Sequence, residues 1–301
     1  MNMKKTNWIL LFIAVLMVAC GTSRVVPVTG RKQSVVSDNA GLLTESFSAY
    51  KSFVSQAKLS SDATKTALVK KVGQRLANAV ETYLRNNGYQ NEVQNYNWEF
   101  NLVADKQVNA FCMPGGKIVV YEGLLPVTQD EASLAIVLGH EIAHAVAYHS
   151  AEQQQTENKR QIIGQVAGSV LSAAGMGTNT ASTLSSLYGL GSQMATLKYS
   201  RNHETEADRI GLVFAAMAGY DPNVALTFWQ RMAANSSGGS TPTWMSTHPS
   251  DAQRIADIQK FLPEALRYYN PSGAAASTTT TKKGAAKKAT TPKTTKTIRI
   301  R

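Results

Sequence analysis

Two cysteines, Cys20 and Cys112, are all that the 301 residues contain. That excludes a cysteine-rich zinc site, and a cysteine-protease reading would rest on Cys112 alone. The apolar run Trp8 to Val18 falls short of the ~20 residues a membrane-spanning helix needs. Acidic residues are scarce, 20 against 31 Lys and Arg, for a net charge of +11. The imbalance is local. Residues 271–301 hold no acid and no aromatic, yet carry Lys282, Lys283, Lys287, Lys288, Lys293, Lys296, Arg299 and Arg301. With Lys4 and Lys5, these supply ten of the eleven surplus charges, so the remaining chain is nearly neutral. A nucleic-acid-binding domain is therefore not indicated. No internal repeat of useful length is present.

What is there divides into four stretches. Residues 1–19 have the layout of a secretory signal: two lysines, an apolar run, then a small residue before Cys20. Leu16-Met17-Val18-Ala19-Cys20 also resembles the lipobox of bacterial lipoproteins, in which the cysteine is acylated and leaves Cys112 without a disulfide partner. Residues 20–38, rich in Val, Pro, Gly and Ser, read as a lipid-anchored tether. Residues 39–270 form the folded domain, and residues 271–301 a disordered basic tail. On an exported chain such a tail either touches anionic lipid, lipopolysaccharide or peptidoglycan, or serves only to solubilise. Acylation at Cys20 would place the chain in the periplasm on a lipid anchor, and Gly21 rather than Asp after it resembles the enteric sorting signal for the inner leaflet of the outer membrane.

Within the domain, Leu43, Phe47, Tyr50 and Val54 recur at helical spacing, as do Leu68, Val72, Leu76, Val80 and Leu84. Trp98 to Ala104 and Lys117 to Tyr121 read as two strands flanking the breaker Met113-Pro114-Gly115-Gly116. They form a small sheet that is either a plain structural hairpin or a free edge for an extended peptide. Gln161 to Ser192, broken by glycines, is either a lid or a helical hairpin. Helices follow over Tyr199 to Gly219, after Asp221-Pro222, and around Ile255, Ile258 and Leu262. The class is α+β, mainly α-helical.

The chemistry concentrates in His140-Glu141-Ile142-Ala143-His144. Thr128 to Glu131 starts a helix before it, so the two imidazoles share one face and can grip one metal ion. Glu141 is placed to take a proton from water at the metal. A catalytic zinc needs a third protein ligand. Ala147 and Ser150 stand where the extended metzincin pattern has Gly and His, so His149 does not supply it. Glu204 and Asp208, one turn apart, offer a carboxylate for the metal and another for a ligand imidazole. His203 and Glu206 lie on other faces of that helix.

These motifs, with Thr247-His248-Pro249 and Arg254, resemble the zinc metallopeptidase family of HtpX-like and CAAX prenyl proteases, and within it a bacterial periplasmic lipoprotein branch. Pro27 to Gln33, Asn109-Ala110-Phe111 and Pro114-Gly115-Gly116 join the resemblance, which covers about Val26 to Leu266. It implies a gluzincin-type zincin domain holding one Zn2+, with a small edge sheet beside the active-site helix. His140, His144 and Glu204 would be the zinc ligands, Glu141 the general base, and Asp208 the partner of a ligand histidine. His248 would stabilise the oxyanion or, in a resting form, fill the open coordination position. Arg254 would brace its loop, and Asn109, Ala110 and Phe111 would lie on the substrate-binding strand. The expected activity is endopeptidase action on unfolded or misassembled envelope proteins, with polypeptide partners and no nucleic acid. The rival is an envelope assembly factor whose zinc site is latent.

Overall fold

The structure is a computed structural model and describes residues 22–35, 39–158, 160, 199–236, 243–248 and 252–271. The signal segment with Cys20, the glycine-broken Gln161 to Ser192 and the basic tail beyond residue 271 lie outside the described residues.

Strand β1 (Thr22–Val25) pairs antiparallel with β2 (Lys32–Val35), followed by helices α1 (Asn39–Gln56) and α2 (Ala63–Asn86). The three-stranded sheet holds β3 (Glu99–Val103), β4 (Ala110–Met113) and β5 (Lys117–Tyr121) in the order β3-β5-β4. A turn of helix at Leu125–Thr128 leads into α3 (Glu131–Val146), and a further helix, α4, spans 149–158. Then come α5 (Arg201–Met217), α6 (Val224–Ser236), the short α7 (Thr243–Thr247) and α8 (Ala252–Ala265). Among the described residues no helix is long and apolar enough to cross a membrane.

Two sequence expectations are corrected. The stretch read as a tether is, over residues 22–35, a β-hairpin seated on the domain, with Val26 and Gln33 buried. Its attachment runs through polar residues, Arg24 to Glu92 and Arg31 to Glu152 and Glu206, which hydrophobic periodicity does not register. The sheet has three strands rather than two: Met113 to Gly116 turns β4 back onto β5, while β3 pairs with β5 in parallel. β4 consists of four buried residues, too few to display an alternation of its own.

Strand periodicity assigns the sheet's faces. Phe100, Leu102, Ala110, Cys112, Ile118 and Val120 join the main core, whereas Phe111, Met113, Val119 and Tyr121 meet Tyr50 and Phe53 of α1. Helix α3 is apolar nearly all round, and every residue from Ser133 to Val146 is buried, as a central helix requires. Asp130 caps its first turn by accepting from the Ser133 amide at 2.6 Å.

Helices α3 and α5 cross at two glycines. A Cβ on Gly211 would lie 2.8 Å from the Gly139 carbonyl carbon and the His140 amide nitrogen, and one on Gly139 2.9 Å from the Gly211 oxygen. The backbones therefore touch next to His140, a distance only glycine allows. That approach brings the carboxylates of α5 within reach of the imidazoles of α3.

Candidate metal centre

His140 and His144 project from the same face of α3, one turn apart, and Glu204 faces them from the first turn of α5. His248 enters from the residue after α7. One nitrogen or oxygen from each of the four lies within 4.8 Å of all the others, and all four residues are buried. The Nε2 atoms of His140 and His144 are 3.0 Å apart, and Glu204 stands 3.4 and 3.3 Å from them. His248 presents Nδ1, 3.2 Å from His140 Nε2 and 3.0 Å from Glu204 Oε1.

The outward-facing ring nitrogens show that this group suits a cation. His140 Nδ1 is 2.8 Å from Asp208 Oδ1, which accepts, and 3.1 Å from Arg254 Nη2; with the Nδ1 proton given to the shorter carboxylate contact, the Nε2 lone pair points inward. Arg254 grips both oxygens of Asp208 at 2.8 Å, donates to Glu204 at 3.0 Å and lies 3.6 Å over the Trp229 ring. His144 turns its Nδ1 the other way, 2.9 Å from His149 Nδ1. Three imidazoles and one carboxylate form a donor set that fits zinc.

Electrostatics agree. Burial and Arg254 lower the affinity of His140 for a second proton, but Asp208 and Glu204 outweigh them and push it up to about 9. The negative field that would hold a proton there can hold a divalent cation instead. For Glu204, burial favours the neutral acid, yet His248, His140 and His144 outweigh it and keep the carboxyl ionised far below the usual range. Burial pushes His144 well below its ordinary value and His149 down to about 4, so both are neutral near pH 7.

Glu141 lies beside the donor group. Its Oε1 accepts from the Trp244 indole at 2.6 Å and lies 3.6 Å from His248 Nε2. Ala110 and Phe111 sit in β4 at the edge of the sheet beside α3, with the buried Asn109 just before it. The Trp244 amide donates to Val108 O at 3.0 Å, so α7 stands against the start of that strand. Cys112 is buried, and burial pushes its thiol up.

Five contributors were not assigned a role from the sequence. Trp244 has no motif of its own. His149 fails as a ligand because its Nδ1 faces His144 rather than the donor group. Glu206, on another face of its helix from Glu204, is buried and accepts from His149 Nε2 at 3.0 Å. Thr29 and Arg31 reach Glu206 from the β1–β2 turn, and the only sequence signal for them is their place in Pro27 to Gln33.

The sequence profile of peptidase family M48 matches residues 65–262. Among curated relatives, the mitochondrial metalloendopeptidase OMA1 of Schizosaccharomyces pombe is 42% identical over 169 residues, 56% of this chain and 48% of the relative. The human OMA1 metalloendopeptidase is 34% identical over 179 residues, 58% of this chain and 34% of that protein. A putative beta-barrel assembly-enhancing protease of Vibrio cholerae is 34% identical over 180 residues, 57% of this chain and 35% of its own length. This chain thus spans about half of the first of these relatives and about a third of the other two.

Proposed function

The chain belongs to peptidase family M48, and from that membership we propose that it is a zinc-dependent endopeptidase of the bacterial envelope. In this reading Cys20 carries the lipid anchor, the domain faces the periplasm, and the substrates are unfolded or misassembled envelope proteins. The name beta-barrel assembly-enhancing protease, borne by relatives in Vibrio cholerae and Yersinia pestis, supports substrates of that class.

The carrying observation is the convergence of His140, His144 and Glu204 with Glu141 alongside. Zinc held by those three residues would supply Lewis acidity, acidifying a water and polarising a peptide carbonyl. Glu141 accepts the water's proton and passes it to the leaving amine. Asp208 and Arg254 hold His140 in orientation. An extended peptide pairs with the strand edge at Asn109, Ala110 and Phe111, which fixes the scissile bond. His248, when outside the donor group, is the hydrogen-bond donor for the oxyanion.

A resting form accounts for the arrangement of α7. His248 takes the fourth donor position, the Trp244 indole binds Glu141, and the Trp244 amide is engaged at Val108. One short segment thus contacts the donor group, the base and the residue leading into the strand edge, which supports the reading of a latent enzyme.

Glu141→Gln is expected to retain about one zinc per chain while casein hydrolysis is lost; undiminished cleavage would refute the assignment. Casein digestion by wild type and His248→Ala, each with and without chelator, separates the two readings, and inactivity of both proteins favours the assembly factor. Cys20→Ala should move the protein out of the membrane fraction.

A further inference from the structure

We propose that His149 is a positioning residue for His144, and that the N-terminal hairpin, acting through Glu206, is a working part of the metal centre rather than a tether. The inference rests on the zinc-site reading above and extends it to residues to which that reading gives no role.

Proton bookkeeping along the relay is forced at each step. Glu206 accepts from Thr29 Oγ1 at 2.6 Å and from Arg31 Nε at 2.8 and 3.0 Å, and as a carboxylate it has no proton to give. Its Oε2 lies 3.0 Å from His149 Nε2, so the His149 proton sits on Nε2. The His149 Nδ1 is therefore a lone pair, and His144 Nδ1, 2.9 Å away, must be the donor. That tautomer leaves His144 Nε2 unprotonated and directed at the donor group, as a metal ligand requires. Without an acceptor behind it, the imidazole is free to place its proton on Nε2, where it would face the metal.

The backbone is arranged around this contact. Tyr148, a non-glycine residue at φ 54°, reverses the chain after α3 so that His149, fully buried, returns beneath His144. His203 stacks on the His149 ring, with centroids 4.4 Å apart. On the hairpin, Val28 adopts φ 68°, unfavourable for a β-branched residue, and its amide is tied to the Tyr83 hydroxyl at 3.1 Å. The turn held this way carries Thr29 and Arg31 to Glu206, and Arg31 also forks onto Glu152 at 2.8 Å. The same hairpin closes the C-terminal end of the histidine helix: Arg24 donates to Val146 O at 2.8 Å and Gln33 to Ala147 O at 2.7 Å.

The test uses the full-length protein and two substitutions at one position. Glutamine can reproduce both polarities, its amide oxygen accepting from His144 and its NH2 donating to Glu206, whereas phenylalanine fills the space and does neither. Zinc affinity is measured by competition with a chromophoric chelator at fixed pH, and ligand geometry by the visible spectrum of the cobalt(II) form. His149→Phe is expected to bind zinc about 10- to 100-fold more weakly with an altered cobalt spectrum, and His149→Gln to stay within about threefold of wild type. Wild-type affinity and spectrum in His149→Phe would overturn the proposal, as would equal weakening by both substitutions. If His149→Phe does not fold, Arg31→Met, remote from the ligands, replaces it: several-fold weaker zinc binding is expected, and unchanged affinity overturns the proposal. Wild-type protein that binds no zinc would instead sink the zinc-site reading itself.

Discussion

His140 and His144 stand one turn apart on the same helix, yet they are held from behind in different ways. Behind His140 is a carboxylate, Asp208, clamped by the buried Arg254. Behind His144 is a second imidazole, then the carboxylate of Glu206, then Arg31 of the N-terminal hairpin. Both carboxylates come from α5, the helix that also carries Glu204. The difference lies in the spacing: Asp208 sits one turn from Glu204 and reaches its imidazole directly, while the Glu206 carboxylate needs His149 as a bridge. The direct arrangement is compact and local. The bridged one ties the imidazole of His144, through His149 and Glu206, to the attachment of the N-terminal hairpin.

The contrast can be broken most severely at Asp208. Asp208→Ala takes from the buried Arg254 one of its two carboxylate partners, leaving Glu204, and removes the acceptor of His140, a loss of about 3 kcal/mol. Urea denaturation and zinc competition should show both effects together, and a stable Asp208→Ala protein with wild-type affinity would contradict the direct arrangement. Next is Gly211→Ala, whose methyl would meet backbone at 2.8 Å. Forcing α5 away from α3 is expected to cost about 1–3 kcal/mol, and to weaken zinc binding because Glu204, Glu206 and Asp208 all move with that helix. Arg24→Ala touches only the His144 end, uncovering Val146 O and releasing Glu92. A loss of about 1 kcal/mol in denaturant stability is expected there, with the hairpin more readily cut by protease. The smallest effect belongs to Arg85→Ala, whose pair with Glu81 is exposed and remote from both arrangements. Its change should stay within about 0.5 kcal/mol with zinc affinity unaltered, which makes it the control.

Legibility follows the same division. The helical setting of His140 and His144 could be read because an apolar run of helical length with an Asp-Glu start dictates α3. Glu204 and Asp208 share a face at four-residue spacing, so their common direction was also local information. His149 was weighed only as a ligand, since nothing in the sequence shows that Tyr148 takes a left-handed backbone and turns the next residue back. Glu206 lies two residues from Glu204, off the metal-facing side, and gains its role only because Arg31, 175 positions earlier, arrives against it. The parallel pairing of β3 with β5 was likewise not visible, because alternation marks a strand but not its neighbour or direction.

The sequence by itself determined what short-range periodicity can encode: a mainly helical α+β domain, two histidines and a glutamate on one helix face, and two carboxylates on another. Tertiary structure decided which of those groups meet, through the glycine crossing of α3 and α5, and which tautomer His144 holds, through the chain from Arg31 to His149. The physical reason is range. A helix repeats within four residues, whereas a buried hydrogen-bond relay is satisfied only by donors and acceptors that folding brings from remote parts of the chain.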